Sequence, residues 1–441
     1  MLLEFGTFPE RKEIFMTTAT NTREPNSGTA PAGADQAPPQ AVSGLLDITR
    51  RGPAFLRTSG FRTGPDDVSV PASLIRQYDL RPGDLVTGTA RPASPARNGN
   101  GNRNGQAKSS NQAKAPAQSA RTPNQTRNPT LATVATVNGT PAPAQPAAAR
   151  PHFDRLTPVY ADERIRLEAG SDSATSRIID LVGPIGKGQR GLIVSPPKAG
   201  KTMLLKAIAN AVTTGSPDVH LMLVLVGERP EEVTDLARSV DGEVISSTFD
   251  RPAEDHIMVA ELAIERAKRL AEAGRDVVVL LDSITRLARA YNLIAPSTSR
   301  ILAGGVATSA LQPPRTFLGA ARNIEGGGSL TILSTALIDT GSRMDDVFFE
   351  EFKGTGNLEL RLRRDLAEKR LYPAIDVAAS GTRRDDLLMT PDEYAAVGQL
   401  RRGLSSLEPQ QALELLLERT RQTSSNAEFL RQIQVSSPVA A

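Results

Sequence analysis

One segment, residues 191–202 with the sequence GLIVSPPKAGKT, constrains the fold of this chain more than any other. A short apolar run leads into a loop with two prolines, and a helical pattern follows over residues 203–212. Free backbone N–H groups and the helix dipole favour a bound phosphate in such a loop. We therefore predict a nucleotide site in which Lys201 reaches the outer phosphates and the Thr202 hydroxyl holds Mg²⁺. Ser195 stands where the motif usually has its first glycine, and a merely structural turn is the alternative.

Two further apolar strands end in charged residues that would complete such a site. The run 277–281 is followed by Asp282, whose carboxylate would lie beside the metal held by Thr202. The preceding strand ends in Glu228 and Arg229. We predict that Glu228 polarises an attacking water while Arg229 holds a phosphate or a carboxylate. The alternatives are a turn-forming aspartate and a surface ion pair.

The loop over residues 380–386 carries two arginines, Arg383 and Arg384, for which a single domain has no evident use. An arginine supplied to the triphosphate of a neighbouring subunit stabilises the transition state and contributes about 10³ to 10⁵ in rate. Such delivery requires a closed ring or another head-to-tail assembly. A solvated basic turn is the alternative interpretation.

Strand and helix patterns alternate through this part of the chain. Buried apolar strands separated by helices predict an α/β domain whose mainly parallel sheet is covered on both faces. Such sheets bind ligands at the carboxyl ends of their strands. The predicted strands span residues 191–194, 220–226, 243–249, 276–282 and 329–338, and the predicted helices span 201–213, 231–240, 254–273 and 284–292, with further helices over 391–433.

Composition divides the rest of the chain into segments. Short β-like runs broken by Gly, Pro and Asp predict a small β-barrel. Between residues 91 and 150 the sequence has eight Lys or Arg and no Asp or Glu, which indicates a basic, flexible insert. The predicted segments are a disordered leader (1–40, with Met16 as a second candidate start), the barrel (41–92 plus about 129–140), the disordered basic insert (93–128), a connector (141–170), the nucleotide-binding domain (171–433) and a flexible tail (434–441).

Several classes of protein are disfavoured by what the sequence contains. No cysteine is present, and the three histidines, His152, His220 and His256, are scattered, so disulfides, thiol catalysis and zinc sites are not expected. The longest apolar runs are far shorter than the roughly 20 residues of a membrane span, and no secretory signal is visible. We therefore expect a cytoplasmic protein without a membrane partner. The net charge of +3 is unevenly placed along the chain.

Taken together, these segments resemble the Rho family of bacterial transcription termination factors. The matching sequence segments are PPKAGKTMLL, ERPEEVT, LLDSITRLARAYN, GAARNIEGGGSLTI, ALIDTGSRMDDVFFEEFKGTGN, LAEKRLYPAID and SGTRRDD. The resemblance covers about residues 155–431, with a weaker match over 41–92. It implies a RecA-like P-loop ATPase domain preceded by an OB or cold-shock-type barrel, in a homohexameric ring that binds ATP and Mg²⁺ between subunits. It also implies single-stranded nascent RNA as partner, with RNA polymerase and elongation factors.

The resemblance also implies roles for individual residues. Tyr372 would stack on the adenine, Arg383 would be the arginine finger, and Arg370 would be a second candidate to act across the subunit boundary. The implied catalytic residues are Lys201, Glu228, Asp282 and Arg383. The implied nucleotide-binding residues are Gly186, Lys187, Gly188, Gln189, Arg190, Gly191, Lys198, Ala199, Gly200, Lys201, Thr202, Met203, Arg229, Arg370 and Tyr372. The implied RNA-binding residues are Gly52, Phe55, Arg57, Asp67 and Ser69 in the barrel, and Arg300, Ile301, Leu302, Ala303, Gly304, Gly305 and Arg343 in two channel loops.

The sequence departs from the family pattern in the barrel. Pro53 stands where a stacking phenylalanine is usual, and Ser69 stands where a tyrosine is common. Because stacking contributes about 1 to 3 kcal/mol per base, these changes should weaken RNA binding there. The basic insert either compensates through phosphate contacts or is a passive linker. Arg300 and Arg343 stand where many members have lysine, and the leader stands where the family often has a helical region.

Two other interpretations remain open at this point. The same core occurs in rotary-ATPase catalytic subunits and DNA recombinases, and fold alone does not decide between them. The barrel, the two loops and the insert favour single-stranded nucleic acid, and the type of barrel favours RNA. A nucleotide-gated RNA-binding protein that does not turn over is the second alternative. It would need neither Glu228 nor Arg383.

Overall fold

The computed structural model describes residues 39–49, 52–92, 128–142, 150–168 and 174–436. The predicted disordered leader and basic insert therefore lie almost entirely outside the described residues, as does most of the predicted tail. The strands within the described part are β1 (Gln40–Ile48), β2 (Ala54–Arg57), β3 (Val68–Val70), β4 (Leu85–Arg91), β5 (Thr130–Val137), β6 (Thr140–Pro141), β7 (Pro158–Val159), β8 (Arg164–Ile165), β9 (Ile185–Gly186), β10 (Arg190–Ser195), β11 (His220–Glu228), β12 (Glu243–Thr248), β13 (Asp276–Asp282), β14 (Arg322–Ile324), β15 (Ser329–Leu337), β16 (Leu358–Arg361) and β17 (Gly381–Thr382).

Helices connect most of the strands of the larger domain. Short 3₁₀ turns lie at Phe153–Arg155, Ala303–Gly305 and Asp385–Leu387. The α-helices are α1 (Ala72–Tyr78), α2 (Ala174–Val182), α3 (Lys201–Gly215), α4 (Pro230–Ser239), α5 (Ala253–Glu272), α6 (Ile284–Leu293), α7 (Thr308–Gly319), α8 (Arg343–Lys353), α9 (Arg364–Glu368), α10 (Pro391–Ser405), α11 (Pro409–Arg421) and α12 (Asn426–Ser436). Among the described helices, none is long and apolar enough to cross a membrane.

The amino-terminal strands close into a small barrel. Its strand order is β3-β2-β1-β4-β5, and a pairing of Ser69 with Thr130 joins β3 to β5. Successive side chains of a strand point to opposite faces, so Ala54 and Leu56 of β2 are buried inside while Phe55 between them faces outward. The predicted barrel of the OB type is confirmed. Helix α1, between β3 and β4, was not predicted.

The larger domain is built on a mostly parallel sheet. The strand order is β12-β11-β13-β15-β10-β16-β17, and the pairs from β12 to β16 are parallel. Strand β17 pairs antiparallel with β16 at one end of the sheet. The six strands from β12 to β16 in this order all run in one direction. The sheet therefore has a carboxyl edge, where these strands end, and an amino edge, where they begin.

Both faces of this sheet are covered, as its continuous apolar strands predict. In β10, Ile193 packs on one side with helices α2, α3 and α9 to α12, whereas Leu192 and Val194 pack on the other side with α5, α6 and α8. The same alternation occurs along β11, β13 and β15. The predicted α/β fold with two covered faces is confirmed. Helices α3, α4, α5 and α6 begin and end within two residues of the predicted bounds.

The barrel is fixed to the larger domain by a buried polar network beside α5. Arg81 of the barrel lies 3.4 Å from the Glu272 carboxylate and donates to the Pro151 carbonyl at 2.7 Å. Arg150 pairs with the fully buried Asp84 at 2.8 Å. Burial raises the pKa of Glu272, although the nearby arginines oppose that shift. Residues 150–151 of the connector are therefore held beside both domains.

Candidate functional site

The loop between β10 and α3 has a backbone suited to an anion. Lys198 and Gly200 both adopt left-handed conformations, with φ of 66° and 88°. Alternating handedness turns consecutive N–H groups toward one point, which is the geometry of an anion-binding nest. A Cβ at Gly200 would lie 3.1 Å from Cε1 of Tyr372, so only glycine suits this position. The Tyr372 ring thus lies against the loop.

The first residue of α3 reaches two carboxylates on neighbouring strands. Lys201 Nζ lies 2.6 Å from Glu228 Oε1 and 2.6 Å from Asp282 Oδ1. Burial, and then the Asp282 charge, raise the pKa of Glu228, whereas Lys201 and Arg286 oppose that rise. Burial alone would lower the pKa of Lys201, but the two carboxylates outweigh it and raise that pKa. The structure therefore brings Lys201, Glu228 and Asp282 together, as predicted from separate motifs.

The direction of the Glu228 side chain follows from an irregularity at the end of β11. The pairing of β11 with β12 shifts register between Val226 and Glu228, and Gly227 between them has a φ of 67°. A bulge of this kind redirects the next side chain. A Cβ at Gly227 would lie 3.1 Å from Cδ of Arg286, and Arg286 Nη2 is 3.3 Å from Glu228 Oε1. The bulge lets Arg286 of α6 reach this carboxylate.

The oxygen atoms around Lys201 fit a magnesium ion bound together with phosphate. Thr202 Oγ1 donates to Glu232 Oε2 at 3.3 Å, and Thr335 Oγ1 donates to Asp282 Oδ1 at 2.6 Å. Within the described residues no three His, Cys, Asp or Glu side chains are grouped to hold a metal by themselves. Mg²⁺ is usually held by one or two protein oxygens, phosphates and water. A hydroxyl with one carboxylate is therefore an adequate protein contribution.

Other predicted nucleotide residues lie around this loop. Ala199 is buried within it, whereas Lys198 and Met203 are exposed at its rim. Arg229 is 68% exposed and 3.8 Å from the Glu232 carboxylate. Arg370 lies on a turn shortly before Tyr372, after the carboxyl end of β16, so the structure places it on the same edge as the loop.

Arg383 lies at the opposite edge of the sheet. It follows β17, whose Thr382 pairs with Leu358 at the start of β16, and its N–H donates to the Asn357 carbonyl at 2.8 Å. Leu358 in turn pairs with Gly191 near the start of β10. Strand β10 therefore separates Arg383 from its own phosphate loop by roughly 17 Å at the usual strand rise. Arg383 does not reach the nucleotide site of its own subunit.

Residues 186–191 also lie at this amino edge. Lys187 pairs with Asp276 at the start of β13 at 2.8 Å, and Gly188 N–H donates to Thr331 near the start of β15. Arg190 donates to the Thr355 carbonyl at 3.2 Å. Within one subunit this segment therefore lies at the opposite edge from the loop 198–203, and the role of both in lining a nucleotide bound between subunits stays a prediction. The direction of the chain explains this separation, since the segment 186–191 leads into β10 and the loop 198–203 follows β10.

The two predicted channel loops meet at the carboxyl side of the sheet. A Cβ at Gly304 would lie 2.8 Å from the Arg343 carbonyl oxygen, so the backbones of the two loops are in contact. Ile301 is 61% exposed, and Arg300 and Arg343 are also exposed. The ion pairs found in the described residues include neither arginine. Two free cations on one rim are suited to phosphates.

Helix α6 connects the nucleotide site to these loops. It begins two residues after Asp282, and its Arg286 contacts Glu228. One turn later, Arg289 makes a bidentate pair with Asp345 at 2.7 Å, and Asp345 also accepts from Thr340 Oγ1 at 2.6 Å. A movement of α6 would therefore displace both the contact of Arg286 with Glu228 and the pair of Arg289 with Asp345. Neither arginine was predicted as a functional residue, although their spacing of three residues in a predicted helix places them on one face.

The outer face of the barrel presents a single aromatic ring at the predicted RNA site. Phe55 lies directly opposite Ser69 on the neighbouring strand. Arg57 and Asp67 are buried, and Arg57 pairs with both Asp47 and Asp67. The Arg57 guanidinium lies 5.3 Å from the centroid of the Phe55 ring. In this arrangement Arg57 lies against Phe55 with its charge paired to two aspartates, whereas Gly52 is exposed.

The nucleotide-binding domain of the ATP synthase alpha/beta family matches residues 175–382, and the RNA-binding domain of Rho termination factor matches residues 42–143. Transcription termination factor Rho of Micrococcus luteus is 59% identical over 394 residues, covering 89% of this chain and 54% of that protein. This chain therefore spans about half the length of that relative. Rho of Streptosporangium roseum is 56% identical over 394 residues, covering 89% of this chain and 92% of that protein.

A solved ATPase from the type III secretion system of pathogenic bacteria is similar in fold. Its TM-score is 0.54 at 23% identity, covering 70% of this chain and 94% of that chain. At this identity the likeness concerns the fold alone. The amino-terminal barrel is matched by the RNA-binding model.

Proposed function

Because this chain belongs to the Rho family of transcription termination factors, we propose that it hydrolyses ATP to move along single-stranded RNA. In this proposal a homohexameric ring binds the nascent transcript, threads it through the central channel and releases it from RNA polymerase. The observation that carries the proposal is the division of the catalytic groups. Lys201, Glu228 and Asp282 meet at one edge of the sheet, and Arg383 is held at the other.

Each group at the carboxyl edge has a separate task in the proposed hydrolysis. The loop amides and Lys201 bind the β- and γ-phosphates of ATP. Glu228 orients the attacking water and accepts its proton as the bond between the γ-phosphorus and the bridging oxygen breaks. Thr202 and Asp282 would hold Mg²⁺, which when bound would neutralise charge on the phosphate oxygens. Tyr372, beside Gly200, is placed to stack on the adenine.

Arg383 belongs to the next site around the ring. Its backbone is fixed at the amino edge, while its exposed side chain is free to reach a neighbouring triphosphate. Residues 186–191 share that edge, so we propose that they too face the neighbour's nucleotide. A heterologous contact that closes on itself supplies one such seam per subunit. Turnover would then require at least two chains.

The RNA would engage the protein at two places. Phe55 offers a stacking surface on the barrel, and Arg300 and Arg343 offer phosphate contacts on the paired loops. Helix α6 supplies the link, because it contacts Glu228 at one end and the Asp345 network at the other. The match of the barrel to the RNA-binding domain of Rho argues against a rotary ATPase. The proposed partners are nascent transcript, RNA polymerase and elongation factors, in the cytoplasm where transcripts are made.

Glu228→Gln tests the proposed base. The variant should bind ATP as the unmodified protein does, because Lys201 and the loop amides remain, but its RNA-stimulated kcat should fall by about 10² to 10⁴. Binding is measured by nucleotide titration and turnover by phosphate release with single-stranded RNA and with duplex DNA. Glu231→Gln, an exposed neighbour three residues along the chain, is the matched control. Normal turnover by Glu228→Gln would remove Glu228 from the mechanism.

Ser69→Tyr tests whether the barrel binds RNA. A tyrosine at this outward-facing position would lie opposite Phe55 and add a second stacking surface. A gain of about 1 kcal/mol corresponds to roughly fivefold tighter binding of a short single-stranded RNA. Ser43→Tyr is the matched control, because Ser43 is an exposed serine of β1 that lies opposite Thr87 of β4 and not opposite Phe55. Equal affinities for both variants would contradict a role of this face.

A further inference from the structure

The connector between the two domains runs along the amino edge of the sheet. Its strand β7 pairs with β14, and its strand β8 pairs with β9. Between them, Asn323 Nδ2 donates to the Tyr160 carbonyl at 3.2 Å and to Asp162 Oδ1 at 3.0 Å. The backbone around Tyr160 is thus fixed on both sides. Tyr160 is nevertheless 67% exposed, so its side chain does not fill a core.

The Tyr160 ring has a specific neighbour on the arginine-bearing turn. The Arg384 guanidinium lies 5.3 Å from the centroid of this ring, within the range of a cation–π contact. Arg384 also pairs with Asp386, with Nε to Oδ1 at 2.9 Å. The backbone of Arg384 is left-handed, with a φ of 59°, which is costly for a residue with a Cβ. Contacts to its side chain therefore stabilise an otherwise unfavoured turn.

We propose that Tyr160 is a positioning residue that fixes the direction of Arg383 through Arg384. This inference rests on the proposed function, in which Arg383 acts on the nucleotide of a neighbouring subunit. Arg383 and Arg384 are adjacent, so the left-handed turn at Arg384 determines where the Arg383 side chain leaves the surface. Holding Arg384 against Tyr160 lowers the number of directions that Arg383 samples before the neighbour's triphosphate is in place.

The position of Tyr160 gives this contact a second consequence. Arg150 and Pro151 of the same connector are held by the barrel residues Asp84 and Arg81. Phe153 is buried in the core beneath the connector, with Arg322 4.4 Å above its ring. One anchored strip of backbone therefore joins the proposed RNA-binding barrel to the turn that carries Arg383.

Tyr160→Leu tests the inference on the full chain. It removes the aromatic face but keeps an apolar side chain, and we expect kcat of RNA-stimulated ATP hydrolysis to fall roughly two- to fivefold. Affinity for ADP should stay unchanged, since Tyr160 does not touch the phosphate loop. Tyr160→Phe keeps the ring and should restore kcat. Tyr394→Leu removes another exposed tyrosine and serves as control. Unchanged kcat in Tyr160→Leu, or an equal loss in Tyr160→Phe, would overturn the inference.

A double-mutant cycle separates this inference from the proposed function. If Tyr160 acts through Arg384, adding Tyr160→Leu to Arg384→Ala should cause no further loss of kcat. Independent, additive losses would show that Tyr160 acts elsewhere, and the inference would fail while the proposed function stood. Full activity of Arg383→Ala would instead defeat the proposed function, whatever the cycle gives. Native mass of each variant checks that assembly is retained.

Discussion

The two edges of the central sheet handle charge in opposite ways. At the carboxyl edge, Lys201 lies between Glu228 and Asp282, and both carboxylates are buried. Charges there are paired before any ligand arrives. At the amino edge, Arg383 is exposed and the ion pairs of the described residues do not include it. At the carboxyl edge the cation is enclosed by two carboxylates, whereas at the amino edge Arg383 has no carboxylate partner among the described residues.

At the amino edge, two arginines, Arg190 and Arg383, lie close together. Burial lowers the pKa of Arg190, and the nearby Arg383 lowers it further, because two cations that lie close together disfavour each other's charge. Arg190 is held by the carbonyl groups of Thr355 and Ala321, not by a carboxylate. An approaching anion would relieve this repulsion. In the proposed ring, each edge is half of one site, which the opposite edge of another chain completes.

The largest expected effects come from removing one cation from each edge. Lys201→Ala should abolish ATP binding and hydrolysis, because the phosphates lose their lysine and two buried carboxylates lose their partner. Arg383→Ala should bind ATP normally while its rate falls by about 10³ to 10⁵. Nucleotide titration and phosphate release distinguish the two defects. Lys206→Ala, on the same helix but paired with exposed Asp235, should change neither quantity.

Mixed assemblies of these two variants test the division directly. Neither variant should be active alone, but a Lys201→Ala chain still has an intact amino edge and an Arg383→Ala chain has an intact carboxyl edge. Mixing them should rebuild some complete seams and restore measurable hydrolysis. Full activity of Arg383→Ala alone, or of an isolated single subunit, would contradict this division, since the carboxyl edge of one chain would then suffice for hydrolysis.

The carboxyl edge was predictable from sequence because its parts follow short, local signals. A phosphate loop and two apolar strands ending in acids place Lys201, Glu228 and Asp282 at the same edge of any parallel sheet. The contact of Lys201 with both carboxylates agrees with that expectation. What the sequence did not indicate was Arg286, because its contact with Glu228 depends on the bulge at Gly227.

The amino edge was harder to predict because it depends on long-range pairing. Arg383 is placed there by the pairing of β17 with β16, two short strands without a clear pattern. Residues 186–191 lead into β10 and the phosphate loop follows it, so the two segments lie at opposite ends of that strand. Helix α7 was also missed, since it contains Pro313 and Pro314, which ordinarily argue against a helix.

A smaller expected effect concerns the pKa of Glu228 at the carboxyl edge. Glu228 must be ionised to accept a proton, and burial, followed by the Asp282 charge, raises its pKa above the ordinary 4.5. Activity should therefore fall as pH decreases through that raised pKa. Arg286 lies 3.3 Å from Glu228 and opposes the rise. Arg286→Gln should raise the pKa further and move the acidic limb of the kcat/KM profile for ATP to higher pH.

The profile of kcat/KM is the suitable measurement because it reports ionisations of the enzyme without nucleotide, the state in which Arg286 contacts Glu228. The displacement should be modest, since Arg286 is about one-third exposed and water screens its charge. Arg238→Gln, an exposed arginine of α4, should leave the limb in place. A limb that moves to lower pH in Arg286→Gln would mean that the limiting group is not Glu228. The carboxyl edge would then need a different base, while the separation of Arg383 from its own phosphate loop would stand.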